Sequence, residues 1–303
     1  MTPVRFAVSA ALVSMVSACV APSEPTQEVA VVQPVEEAQP MPTPTPAVRG
    51  PSTFTYSGEL TQGGWIRGQA PAGTVRAWLD EKPLTLDADG HFFAAFDRDA
   101  GLTATLRAEL ADARSLASPL TISARSWNIE RVNVARTPGG ATEAFMRIRR
   151  PELDRIAAAR AVNADAEGWR QNFVWPAKGR ISGRFGSQRI YKGGEAGAYH
   201  SGLDIATGGS GAVYVAPADG VVTLAATTPF SLEGNLLIID HGQGLNSAFL
   251  HSSELMVREG QKVTQGQPLG RIGATGRATG PHLHWSLMWN GSRLDPLLFV
   301  GEM

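Results

Sequence analysis

Residues 282–289 read HLHWSLMW. Their strict alternation predicts a strand with Leu283, Trp285, Leu287 and Trp289 on a core face and His282, His284, Ser286 and Met288 on the other. The two histidines then point the same way with Cα atoms ~6.6 Å apart, a spacing that lets both serve one site without obliging both to bind one ion. Around this strand the chain from Phe173 onward alternates Gly-rich turns with short apolar runs: GAVYVAPADGVVTLAATT, NLLIIDHG, NSAFLH and KVTQGQPLGRIG. That pattern predicts a β-rich domain over 173–303 with little helix.

Five of the six histidines fall in this domain. In YHSGLDIA, His200 and Asp204 are four apart, ~13 Å in a straight strand, so the Ser201–Gly202 step has to turn the chain if the two are to share a metal. His251 ends NSAFLH, a strand expected to pair with NLLIID through the DHGQGLN turn. His241 opens that turn and reads as structural. Two imidazoles and a carboxylate suit zinc, and a catalytic zinc takes three protein ligands while keeping one position for water. His200, Asp204 and one histidine of the 282/284 pair supply that count, leaving the other and His251 to hydrogen-bond the water and the oxyanion formed on attack.

Upstream, the 303 residues and 43% apolar content allow two ordinary domains plus tails. A formal net charge of -1 gives no pull toward nucleic acid, and none is expected as a partner. Residues 52–126 contain about seven short runs, from TFTYSGEL to PLTISAR, spaced roughly ten apart with an Asp89–Gly90 turn, which predicts a small immunoglobulin-like β-sandwich. His91, just past that turn, reads as a surface or cross-strand residue. Residues 127–172 are expected to be a helical connector, with Pro151 opening the helix PELDRIAAARAVNA between the two domains.

Cys19 is the one cysteine, so no intramolecular disulfide forms. Before it, Arg5 and the apolar run FAVSAALVSMVSA are too short to span a bilayer and suit a secretory signal over residues 1–19. Val16, Ser17, Ala18 and Cys19 resemble a bacterial lipobox, which implies acylation of Cys19. Val20 in place of Asp, by resemblance to lipoprotein sorting rules, implies the inner leaflet of the outer membrane, facing the periplasm. Residues 20–51, rich in Pro, Gln, Glu and Thr, read as a disordered tether able to reach on the order of 90 Å.

Together, HSGLDIA, VYVAPADGVV, IDHGQGL, FLHSSELMVREGQKVTQGQPLGRIGATGRATGPHLHW and LDPLLFV resemble the lysostaphin/LytM-type zinc metalloendopeptidases, with their His-x-x-x-Asp, lone His and late His-x-His. The resemblance covers about 173–299. It implies a duplicated hybrid-motif β domain, one zinc ion on His200, Asp204 and His284, catalytic assistance from His251 and His282, and a peptidoglycan peptide as substrate. Some relatives of the family have lost ligands and activate other hydrolases; here all five positions are present, so a non-catalytic regulator or wall-binding lipoprotein is the lesser expectation. VREGQKVTQGQPLG also resembles lipoyl- or biotinyl-carrier hairpins, but Lys262 lies on the strand side of its turn, without a carrier setting. The Gly-rich segments YKGGEAGA and GATGRATG are expected at the rims of an extended groove.

Overall fold

The computed structural model describes residues 50–136, 142–301 and 303. The expected signal, the lipobox-like stretch ending at Cys19 and the expected tether up to residue 49 lie outside them. Seven strands come first: β1 (Thr55–Gly58), β2 (Trp65–Gln69), β3 (Thr74–Leu79), β4 (Lys82–Leu84), β5 (His91–Ala95), β6 (Thr103–Leu110) and β7 (Ser115–Thr121). They form two antiparallel sheets, β1-β2-β5 and β4-β3-β6-β7. Period-two burial is clearest in β6, where Ala104, Leu106, Ala108 and Leu110 are buried and the residues between them are not. His91 pairs across strands with Gln69, and its ring reaches Asp87 at 3.2 Å.

After β8 (Ile129–Arg131) comes the long helix α1 (Glu143–Ala161). Pro151 does not open it. The helix starts eight residues earlier, where the Thr142 hydroxyl accepts a hydrogen bond from the Phe145 amide at 3.1 Å, and Pro151 lies inside. Thr142 with acidic Glu143 behind it satisfies the first turn, a start signal that outweighs proline here. Nor is α1 wedged between two domains. Ile156 and Ala159 bury against Leu224, Phe230, Leu236 and Ile238 of the C-terminal sheet, and most of the helix faces outward.

The remaining strands are β9 (Arg180–Gly183), β10 (Gln188–Ile190), β11 (Leu203–Ala206), β12 (Val213–Val215), β13 (Gly220–Ala225), β14 (Asn235–Asp240), β15 (Leu245–Ser252), β16 (Glu254–Leu255), β17 (Lys262–Val263), β18 (Pro268–Arg271), β19 (Leu283–Trp289) and β20 (Ser292–Leu294). The main sheet runs β17-β13-β14-β15-β19-β11-β9, with β20 also on β19, and β12-β18-β16 make a small second sheet. GAVYVAPADGVVTLAATT is thus two strands in two sheets, split at Ala216–Asp219. The β14–β15 hairpin closes through the expected turn. On β19 the odd-numbered residues Leu283, Trp285, Leu287 and Trp289 are at most 1% exposed, as their alternation requires. β8 pairs in parallel with β10, a strand the sequence did not signal.

The described residues fall in one compact unit. Aromatic rings join its N-terminal sheets to the C-terminal part: Trp65 lies 5.2 Å from Phe299 and Phe93 lies 6.4 Å from Trp289, with Phe173 backing Phe299 at 5.3 Å. The Trp65 indole N–H donates to the Leu298 carbonyl at 2.9 Å, so a buried polar atom is satisfied across this seam.

Candidate metal centre

Strand pairing assembles the site. Asp204 on β11 stands directly opposite His284 on β19, and opposite Gly183 on β9. His200 precedes β11 in a loop and folds back, so that its Nε2 lies 3.1 Å from Asp204 Oδ1 and 3.1 Å from His284 Nδ1. His284 Nδ1 lies 2.9 Å from the same carboxylate oxygen. Two glycines make room. A Cβ on Gly183 would fall 2.4 Å from Asp204 Oδ2, and one on Gly202 would fall 2.6 Å from His284 Nε2.

Hydrogen bonds behind the rings decide which atoms face inward. The His200 Nδ1 proton goes to the Arg184 carbonyl at 3.1 Å. A carbonyl only accepts, so in the neutral ring Nε2 carries a lone pair. Two ring nitrogens and a carboxylate oxygen then converge within 3.1 Å of one another, and with the His284 proton on Nε2 all three are acceptors. Such a cluster repels itself without a cation. A tetrahedral ion with bonds of ~2.0–2.1 Å spaces its ligands about 3.3 Å apart, and the triangle fits that face closely. Burial opposes charge on Asp204, yet the two imidazoles, once protonated and donating to it, hold its carboxyl well below the usual range. On His200 burial is outweighed by Asp204 and the ring is pushed up, whereas deeper burial pulls His284 down.

His251 and His282 stand next to this triangle, with ring centroids 4.9 Å apart. His282 lies just ahead of β19, bridged to Gly273, and its Nε2 is 3.7 Å from Asp204 Oδ1. Each ring ties Nδ1–H to a backbone carbonyl, His251 to Thr275 and His282 to Gly280, both at 2.8 Å. Both therefore present Nε2 as an acceptor. His251 has φ of 67°, rare for a non-glycine residue, and sits where β15 bulges against β14, the register jumping from Leu237↔Phe249 to Asn235↔Ser252. Its amide donates to the Glu233 carbonyl at 2.8 Å, which pins the bulge. Burial lowers the proton affinity of this ring.

All five sequence-selected residues thus meet in one place. His241 does not join them. It is fully buried, Nδ1–H donating to the Asp219 carbonyl and Nε2 accepting from Ser247 Oγ, both at 2.7 Å. Sequence reasoning missed the carbonyls of Arg184, Thr275 and Gly280, which carry no residue signature because any side chain can present them. Beside the centre runs an open groove of about 970 Å³, whose lining includes His200, Asp204, Gly183, Tyr191, Tyr199 and Arg277. The rims expected from YKGGEAGA and GATGRATG contribute Tyr191, Gly197 and Arg277 to it. From the connector come Asn128, Glu130 and Arg136, which were not anticipated there.

Residues 198–296 match Peptidase family M23. Among curated proteins, the chain is 39% identical over 127 residues to peptidoglycan DD-endopeptidase ShyA of Vibrio cholerae, covering 42% of this chain and 29% of that one. It is 34% identical over 128 residues to murein hydrolase activator NlpD of Escherichia coli, covering 42% and 31%. The chain spans roughly 30% of the length of these curated relatives. A Pseudomonas aeruginosa crystal structure described as of peptidase M23 type superposes with a TM-score of 0.60 at 26% identity, over 80% of this chain and 96% of that one. Family match and shared fold thus agree in making residues 198–296 similar to peptidase family M23.

Proposed function

We propose that this chain is a zinc-dependent endopeptidase that hydrolyses peptide cross-links or stem peptides of peptidoglycan. The observation that supports it best is the triangle of acceptor atoms, 2.9–3.1 Å on each side, facing a groove with two further acceptor imidazoles beside it. In this reading His200, Asp204 and His284 hold one zinc ion. When bound, zinc supplies a Lewis acid that brings the pKa of a water toward ~7 and polarises the scissile carbonyl. His251 and His282, with Nδ1 tethered and Nε2 open, are placed to accept the proton of the attacking water and return it to the leaving amine. Positioned acid–base groups of this kind are worth ~10²–10⁴ in rate.

The proposal extends to the whole chain. Residues 1–19 act as a lipoprotein signal ending at Cys19 and 20–51 as a tether, 52–126 as an immunoglobulin-like sandwich and 127–172 as a connector, and 173–303 as the peptidase with its duplicated hybrid-motif sheet. Acylation of Cys19 would hold the enzyme at the inner leaflet of the outer membrane, within reach of the wall. There the expected bond is D-Ala to diaminopimelate rather than a glycine bridge. A regulatory role is the second reading, favoured by the activator name that NlpD carries; the complete set of five site residues speaks for catalysis. Digestion of purified peptidoglycan, read by mass spectrometry, tests the choice. Zinc-loaded protein should release cross-link fragments that vanish with chelator or with His284→Ala, and unchanged fragments would overturn the enzyme reading.

A further inference from the structure

A second, smaller cavity of about 180 Å³ opens between α1 and the sheet face that carries the metal centre, and His284 and Ser201 belong to its wall. Its other polar lining is Arg149, Arg160, Arg293, Ser286 and Glu233. Three guanidiniums face one carboxylate there. Glu233 is already taken, bound by both terminal nitrogens of Arg149 at 2.6 Å. Among the described residues neither Arg160 nor Arg293 forms an ion pair. Arg160 donates one hydrogen bond, to the Met288 sulfur at 3.3 Å, and its Nε is buried with no partner at all. Burial, and after it the like charge of Arg293, draws Arg160 below the usual guanidinium range. A half-buried cation with an orphaned Nε is costly unless an anion completes it, and exposed Arg293, its guanidinium over the Tyr199 ring at 5.6 Å, stands ready to share that anion.

We infer that this cavity is a subsite for a free carboxylate of the peptide substrate, held by Arg160 and Arg293 with Ser201 and Ser286 at its edge. It rests on the proposed peptidase reading. A planar carboxylate matches the fork of a guanidinium, and a cavity of about 180 Å³ has room for such a group. His284 is shared between the cavity and the candidate metal centre and Ser201 directly follows His200 in the chain, so a carboxylate seated here fixes a substrate only a residue or so from the bond to be cut. The subsite would make the enzyme prefer peptides with a free acid close to that bond over their amidated forms.

Calorimetric titration of the zinc-loaded full chain with N-acetyl-D-Ala-D-Ala and with its C-terminal amide tests this. The acid should bind at least tenfold more tightly, and Arg160→Gln and Arg293→Gln should each shrink that gap, while Arg160→Lys restores part of it. Melting temperatures of the variants check that the fold persists, and the partial rescue by lysine separates a lost charge from a lost packing contact. A carboxylate held by the metal alone would keep its preference in both glutamine variants. That result, an absent gap in the wild type, or sulfate binding as tightly as the peptide acid would each overturn the inference. Peptide that binds with the expected preference yet is never cleaved would leave the subsite standing and remove the proposed hydrolysis.

Discussion

Gly183→Ala should damage the metal centre from a residue that contributes no ligand. Gly183 sits on β9 directly opposite Asp204, and a Cβ built on it lies 2.4 Å from Asp204 Oδ2, 3.0 Å from Cγ and 3.1 Å from His200 Cε1. Ordinary contact begins near 3.4 Å, so the carboxylate or the strand has to retreat by about 1 Å. Asp204 cannot rotate away freely, since its Oδ1 is held between two imidazoles at 2.9 and 3.1 Å. Overpacking of this kind costs ~1–3 kcal/mol of stability. Disturbing the support of a metal ligand costs ~10–100-fold in metal affinity. Zinc affinity measured by competition with a chromophoric chelator should therefore fall by that factor, with a modest drop in melting temperature. Gly209→Ala is the matched control, because nothing lies within 4 Å of its Cβ position. Wild-type zinc affinity in Gly183→Ala would refute the claim that this close approach shapes the centre.

Saturating zinc should raise the melting temperature of the wild type, with ~2.7 kcal/mol gained at a hundredfold excess over Kd, and His284→Ala should lose that gain. Truncating Arg149 to Ala should cost ~3–5 kcal/mol in urea denaturation, because it strands Glu233 in a mostly buried position; a cost under 1 kcal/mol would show that the pair contributes little. His241, buried as the neutral ring with its pKa lowered to about 4, stays uncharged in the fold while the unfolded chain takes up a proton near 6.5. Stability from this residue is therefore complete above pH 6.5 and is lost as pH falls toward 4, on the order of 3 kcal/mol in all. Denaturant melts across that range should show a shallower acid decline in His241→Gln, and equal slopes would rule the residue out as a source.

Much of the C-terminal sheet could be read directly. Alternation in HLHWSLMW assigned the two faces of β19 because side-chain period fixes face, and the Gly-rich turn after Asp240 closed the β14–β15 hairpin. Seven strands upstream matched their turn spacing for the same local reason. Where the reading failed, distant partners decided the outcome. Pro151 looks like a start signal, but a helix tolerates it at an exposed position once Thr142 caps the chain and Ile156 and Ala159 are buried against the sheet. The parallel pairing of β8 with β10 joins Ile129 to Gln188, and no pattern in either short strand announces the other. At the candidate site the proposed ligands declare themselves by type, whereas the carbonyls that orient them and the guanidiniums near His284 become visible only through packing.

The seam of rings around Trp65, Phe93 and Phe299 also bears on how this protein can be cut. The family segment, 198–296, is smaller than the unit that holds its shape. A fragment confined to it would forfeit β9 with Gly183, the Arg184 carbonyl that aims His200, and the rings of Phe93 and Phe173 that pack against Trp289 and His241. The newly bared Trp289 face would favour self-association. Excision for biochemical work is better placed before Gly50 than inside the connector.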